Sequence, residues 1–338
     1  MKNSNILYIL LVFGTLLSCE TEIQFNGKVT EQVLVVNALA CTDSIIHAKV
    51  SLSRFFLDQE DDSPAVTDAT IALYVNGTFR ENLVHFDKGE YLSTYVTVQG
   101  DVIKLNVSAP GQESVWAETT VPFATADFQI DSTIVKSDTS LLVDIIYDGP
   151  YGYNGPNTPF HYDTVGVTYN YIHTYKVSFS NPVDVSNYYR LVVQNSTSVN
   201  GIITNNEYRN DIEDIVFGSG KNNLDGLFAE TGYDPYNVFS DELIDGTNHT
   251  ITFIHKQDFS RNYNDPYLFN TTVNFERSVT IDLQTISEAY YLYLKSLKAL
   301  GLADPFMSEP VQIYTNIEKG LGIFGARTHR LRKFILPE

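Results

Sequence analysis

The sequence predicts an all-β chain. Apolar runs of strand length recur along it, with turn residues between them. Inside these runs apolar and polar positions alternate with period two, and only one segment shows the three- and four-residue spacing of a helix. A length of 338 residues suits two domains.

The chain opens with Lys2 and the apolar run Ile6 to Leu17, followed by Ser18 and Cys19. Such a run is too short to cross a bilayer as a helix, which takes about 20 residues. Basic flank and apolar length fit a signal peptide over 1–18. LLSC resembles the lipobox of bacterial lipoproteins, in which the cysteine becomes the acylated N-terminus. Cys19 is then the lipidation site and residues 19–30 a lipidated tether. Glu20 and Glu22 read as a solvated part of that tether. They also resemble the acidic export signal that sends Bacteroidota lipoproteins to the cell exterior.

From residue 31 the strand-like runs are QVLVVNAL, HAKVSLSRF, ATIALYV, EYLSTYVTV, VIKLNVSA and SVWAETTVP. Asn76-Gly77 after the third is a hairpin signal. Together they predict an immunoglobulin- or fibronectin-like β-sandwich over 31–123, with Trp116 in its core or at the domain junction. Cys41 reads as a small buried hydrophobe. Residues 124–338 predict a second β-rich domain with strands DFQIDSTIV, LLVDIIY, YYRLVVQ, HTITFIH and RSVTIDL. Two long polar segments, 148–170 and 205–237, read as loops, and loops of that length are often functional.

The helix is predicted near 285–300. Leu283, Ile286, Tyr290, Tyr293, Leu297 and Leu300 share one face. Thr285 and Glu288 make a capping box, and Gly301 a left-handed stop. The face reads as core packing.

The charge excludes one class of partner. Forty-one acidic residues face 22 basic ones, a formal charge of −19 that loss of Lys2 would make more negative. Phosphate backbones would repel such a chain, so nucleic acid is excluded. No nucleophile elbow, zinc-binding H-E-x-x-H or C-x-x-C occurs, and the seven histidines are scattered. The run Asp58, Glu60, Asp61, Asp62 and the group Asp211, Glu213, Asp214 read as solvated loops. No metal, cofactor or catalytic set is predicted. Tyrosine is the unusual feature: Tyr147, Tyr151, Tyr153, Tyr162, Tyr169, Tyr171 and Tyr175 crowd one region. Tyrosine offers a rigid apolar surface with a polar tip, which suits an interface. These residues are therefore candidate partner or ligand contacts, or they fold the segment onto its own domain.

SCETEI, LVVNALA, VSLSR, DATIALYVNG, YYRLVV, VFSDELIDG, ISEAYYLYLKSL and PVQIYTNIEKGLGIFGA together resemble a family of Bacteroidota surface lipoproteins catalogued only as a domain of unknown function. Its members are often encoded beside SusC-like TonB-dependent receptors. The resemblance implies an outer-membrane, outward-facing accessory subunit of a barrel complex, in nutrient uptake or outer-membrane assembly, with other surface lipoproteins as possible partners. The family defines no catalytic residues. The other function class carried here is a surface glycan or peptide hydrolase. In NIEKGLGIFG, Gly320, Gly322 and Gly325 permit turns and close backbone approach, so the motif reads as a structural joint.

Overall fold

A computed structural model describes residues 31–55, 63–148, 158–183, 185–207, 212, 214–217, 236–262, 275–302 and 311–336. Cys19, Glu20, Glu22, Tyr151, Tyr153, Asp211, Glu213 and the acidic run at 58–62 lie outside the described residues. The chain is all-β with one α-helix among those residues. Its strands are β1 (Leu34–Cys41), β2 (Ile45–Leu52), β3 (Thr70–Val75), β4 (Thr78–Asn82), β5 (Val84–Asp87), β6 (Glu90–Val96), β7 (Val102–Ser108) and β8 (Val115–Thr120) in the first part. The rest supplies β9 (Ala126–Tyr147), β10 (Phe160–Ser180), β11 (Tyr188–Val199), β12 (Ile202–Glu207), β13 (Val238–Ser240), β14 (Asn248–Asn262), β15 (Phe275–Ile286), helix α1 (Glu288–Leu302) and β16 (Leu321–Ile335).

Two sandwiches share one long sheet. Its strand order is β12-β11-β15-β16-β1-β2-β6-β5, with β13 paired to β11. The sheet β4-β3-β7-β8 packs on the β1 side of it, and the sheet β14-β10-β9 packs on the β11 side. Alternation explains the first core: β1 buries Leu34, Val36, Ala38 and Ala40, every second residue. Ile71 and Leu73 of β3 with Ile103, Leu105 and Val107 of β7 meet them from the facing sheet. Tyr91 is buried there too; its hydroxyl donates to the Val66 carbonyl and accepts from the Ala69 N–H, each at 2.9 Å. The second core joins Tyr175, Val177 and Phe179 of β10 to Leu191, Val193, Ile281 and Leu283 of β11 and β15.

β16 ties the two together. Val35 to Cys41 of β1 pair in parallel with Leu321 to Arg327, while Arg327 to Ile335 pair antiparallel with β15. Ile317, Phe324 and Ala326 belong to the first core, although they lie some two hundred residues past the boundary near 123 that the sequence suggests. Asn316 grips this joint: its amide donates to the Phe324 carbonyl and accepts from the Phe324 N–H, both at 2.9 Å. Gly322 has φ +103°, and a Cβ there would sit 2.2 Å from the Val36 carbonyl oxygen. At Gly320 a Cβ would lie 2.7 Å from the Leu34 carbonyl oxygen, and at Gly325 it would lie 2.8 Å from the Tyr290 Cβ, under α1.

Several local expectations need correction. Helix α1 begins at Glu288, and Thr285 is a buried strand residue opposite Tyr189 and Thr328. Pairing on both sides of β15 outweighs the local capping signal, so Ser287 caps the helix instead. Its carbonyl accepts from the Tyr291 N–H at 3.0 Å and its hydroxyl from the Tyr290 N–H at 3.4 Å; the same hydroxyl also accepts from the Ala326 N–H of β16 at 3.0 Å. Leu283 and Ile286 are also strand residues, and Gly301 lies inside the last helical turn. DFQIDSTIV and LLVDIIY form one 22-residue strand, and 160–170, read as loop, is the start of β10. Trp116 is exposed; it lies at the junction, where its backbone bridges Glu318, and Lys104 sits 4.3 Å over its ring. Cys41 is half-buried. Asp214 is not solvated: it accepts a hydrogen bond from the Val216 N–H at 3.2 Å and pairs with His249 Nε2 at 2.8 Å.

Candidate functional site

The β9–β10 ribbon is open along most of β9 and over the outer end of β10. At about 3.3 Å per residue, 22 residues span about 70 Å. Only its base is packed, and Ile130 is the one fully buried residue of β9. Strand β14 flanks β10 from Gly166 to Ser180; beyond Gly166, towards Phe160, β10 keeps only β9 beside it among the described residues.

The register sorts the ribbon into two faces. Directly paired residues share a face. One face therefore holds the pairs Val177 with Ile130, Tyr175 with Ser132, His173 with Ile134, Tyr171 with Lys136, Tyr169 with Thr139, Val167 with Leu141, Thr164 with Val143, Tyr162 with Ile145 and Phe160 with Tyr147. Two bulges, at Ser137 of β9 and Val165 of β10, hold these residues on the same side. The aromatic face thus runs unbroken from the second core to the far end of the ribbon.

Burial divides it into three zones. At the base Tyr175 is fully enclosed, and burial pushes its hydroxyl pKa up to about 12. His173 stacks on it, with ring planes 12° apart, and faces His255 of β14 at a centroid distance of 5.9 Å. Burial holds both imidazoles below their ordinary range, His255 at about 4. In the middle Tyr169 and Tyr171 are half-buried, and Lys136 lies 4.1 Å over the Tyr169 ring. At the far end the apolar residues are open: Leu141 is 65% exposed, Val143 52%, Phe160 54% and Tyr162 66%. Phe160 packs edge-on against Tyr162 at 5.8 Å and lies 6.2 Å from Tyr147. The opposite face is mixed: Asp138, Ser140, Asp144 and Asp163 share it with half-buried Leu142 and exposed Ile146, and His161 Nδ1 lies 3.0 Å from Asp148.

Of the tyrosines singled out from the sequence, Tyr147 and Tyr162 stand at the exposed end, Tyr169 and Tyr171 in the middle, and Tyr175 is core. Leu141, Val143, Ile145 and Phe160 are the members of this surface that the sequence reading did not single out. Part of the signal was present: LLVDIIY, with Leu141, Val143 and Ile145 at alternate positions, reads as a strand, and Phe160 and Tyr162 alternate with His161 and Asp163.

A cleft of 720 Å³ lies between the two sandwiches, lined by Thr119, Phe123, Thr125, Tyr188 and Glu288 among others. Two carboxylates, Glu118 and Glu288, border it, with no His, Cys or Lys among the described lining residues. No described group of three or more His, Cys, Asp and Glu is placed to hold a metal ion. No described helix is long and apolar enough to cross a membrane.

Fold and surface define a two-sandwich β protein with a projecting, apolar-tipped ribbon. The chain belongs to the family described as a domain of unknown function (DUF4249), whose model matches residues 20–331. No curated protein matches the sequence.

Proposed function

We propose that this protein is a lipid-anchored accessory subunit of an outer-membrane β-barrel complex of the SusC-like kind, held at the cell exterior, and that the ribbon grips the barrel. The observation that carries this reading is the exposed apolar face formed by Leu141, Val143, Ile145, Phe160 and Tyr162. Contiguous apolar surface at the end of a projecting element is costly in water and marks an interaction site. The anchor rests on Cys19 following the apolar run, and the choice of a barrel rests on the family resemblance. The chain's acidity fits a grip by apolar and aromatic contact better than attraction to an equally acidic surface.

The test is native purification of tagged protein from outer membranes. The wild type should recover a barrel protein in equal amount. Phe160→Ser with Tyr162→Ser should reduce that recovery by about tenfold or more, because a few aromatic anchors carry most of an interface's energy. The melting temperature should hold, since both side chains are exposed. In the same experiment Cys19→Ala should leave the membrane fraction. Undiminished recovery with the ribbon variant would remove the ribbon from the interface, and a membrane-bound Cys19→Ala protein would remove the lipid.

A further inference from the structure

We propose that β9 is a docking strand: its open edge receives an extended segment of another protein in which apolar and basic residues alternate, and that segment joins the ribbon as a further strand. This rests on the reading of the ribbon as the partner-binding surface and specifies how the partner is held.

Backbone direction identifies the edge. The Asp148 N–H donates to the Pro159 carbonyl across the hairpin at 2.8 Å. Between Asp138 and Tyr147 β9 carries no extra residue, so successive N–H groups alternate sides. Even-numbered residues therefore face β10, and Thr139, Leu141, Val143 and Ile145 face away from it. No described strand pairs with that edge. The N–H groups of Thr139 and Ile145 are covered by their own neighbours: Asp138 Oδ1 accepts from Thr139 at 2.7 Å, and Asp144 Oδ1 accepts from Ile145 at 2.9 Å. Between these two covered positions lie Leu141 and Val143, open to solvent.

Natural sheets guard such edges with lysine, proline or bulges. The stretch Asp138 to Tyr147 has none of the three. What it has is a carboxylate at each end of a pair of donors, Leu141 and Val143, with no partner among the described residues. A strand arriving here would set alternate side chains on the apolar face beside Leu141, Val143 and Ile145. The side chains between would fall on the opposite face beside Asp138 and Asp144, with Ser140 and Leu142 between these two, where Asp163 sits opposite Asp144 and adds a third negative charge. Lysine or arginine at those positions would take over the two carboxylates as the backbone takes over the N–H groups. A second copy of this chain fits poorly. Antiparallel pairing about Leu141 would set Asp138 of each copy against Asp144 of the other, between two chains of formal charge −19.

The probe is a ten-residue peptide of alternating lysine and valine, with alternating glutamate and valine as control, added to the full-length protein in detergent. The lysine peptide should slow hydrogen exchange at Leu141 and Val143 and bind about tenfold or more tighter than the control. Val143→Pro keeps an apolar side chain but removes one outward donor, and an edge strand tolerates proline. It should weaken binding about tenfold. Asp138→Asn with Asp144→Asn, which keeps the fold even if the proline variant does not, should erase the preference for lysine. Equal binding of both peptides, protection elsewhere than 139–145, or unchanged affinity in Val143→Pro would each overturn the proposal. Barrel recovery separates the two readings. Recovery kept by Val143→Pro but lost by the Phe160 and Tyr162 variant leaves the ribbon as the grip without strand addition. Recovery kept by both defeats the ribbon itself.

Discussion

His173 and His255 meet where the ribbon enters the second core, 0% and 1% exposed. Tyr175 and Phe253 pack beside them, Tyr171 lies above His173, and Arg277 of β15 contributes the charge that faces them. Burial is the main cause that lowers both pKa values; Arg277 then adds to His173, and His173 to His255. A histidine whose folded pKa lies below its unfolded value binds more protons when unfolded. Its contribution to stability is complete above the unfolded value of 6.5 and is lost as pH falls towards the folded value of about 4. For His255 the loss at pH 5 is about 2 kcal/mol. Denaturant unfolding at pH 7 and pH 5 should show that loss in the wild type and a smaller one in His255→Gln. Equal losses in both would assign the acid sensitivity elsewhere. The sequence shows His173 and His255 only among seven scattered histidines, because burial is set by which strands pair, and one apolar and one polar neighbour beside each carry no sign of that. Tyr175 was grouped with the interface tyrosines for the same reason. Composition marks a residue type, while position along the ribbon decides whether it is core, half-buried or open.

At the scale of elements, β1, β2, β3, β6, β7 and β8 were legible because each is bounded by its own turn chemistry and alternates in hydrophobicity, whereas β4 and β5, exposed along nearly all of their length, carry no apolar alternation to mark them. β9 and β10 were misread for a physical reason. KSDTS inside β9 and the start of β10, which follows directly on a Gly-, Pro- and Asn-rich stretch, look like loop, but each supplies the other with a ladder of backbone hydrogen bonds, and paired backbone overrides weak local propensity. The helix was found and its start misplaced, since a capping signal is local and the pairing of β15 is not. The glycine motif was legible as a joint from its spacing, and the geometry supplies the cause. Gly322→Ala should destabilise by about 2 kcal/mol or more, because the added carbon meets the Val36 carbonyl in a backbone conformation that disfavours any side chain. Chemical denaturation measures this directly. A change below about 0.5 kcal/mol, the size of an ordinary surface substitution, would mean that β1 and β16 separate without cost.

The whole molecule is organised by a strand whose partner is nearly the length of the chain away. β1 pairs with β16 in parallel, Val35 beside Leu321, so the first sandwich is closed by residues that no local pattern assigns to it. Composition and turn spacing divide the chain near residue 123, yet the first core contains Ile317, Phe324 and Ala326. Without them Leu34, Val36, Val115 and Ala117 lose the apolar surface that covers one end of the sandwich, and β1 gains an open edge. A fragment of residues 31–123 should therefore unfold with little cooperativity and a much lower melting temperature than the full chain. A synthetic peptide of residues 311–336 should restore a cooperative transition when added in trans, because it returns both the missing core residues and the missing strand. Restoration should fail with the same peptide carrying Phe324→Ala, since that ring is wholly buried and its loss costs about 3–5 kcal/mol. If the fragment alone melts cooperatively at the temperature of the full chain, the two sandwiches are independent and β16 only lies against the first. If the peptide rescues it, the ends of the chain hold the protein together, and the ribbon projects from a frame that neither half builds alone.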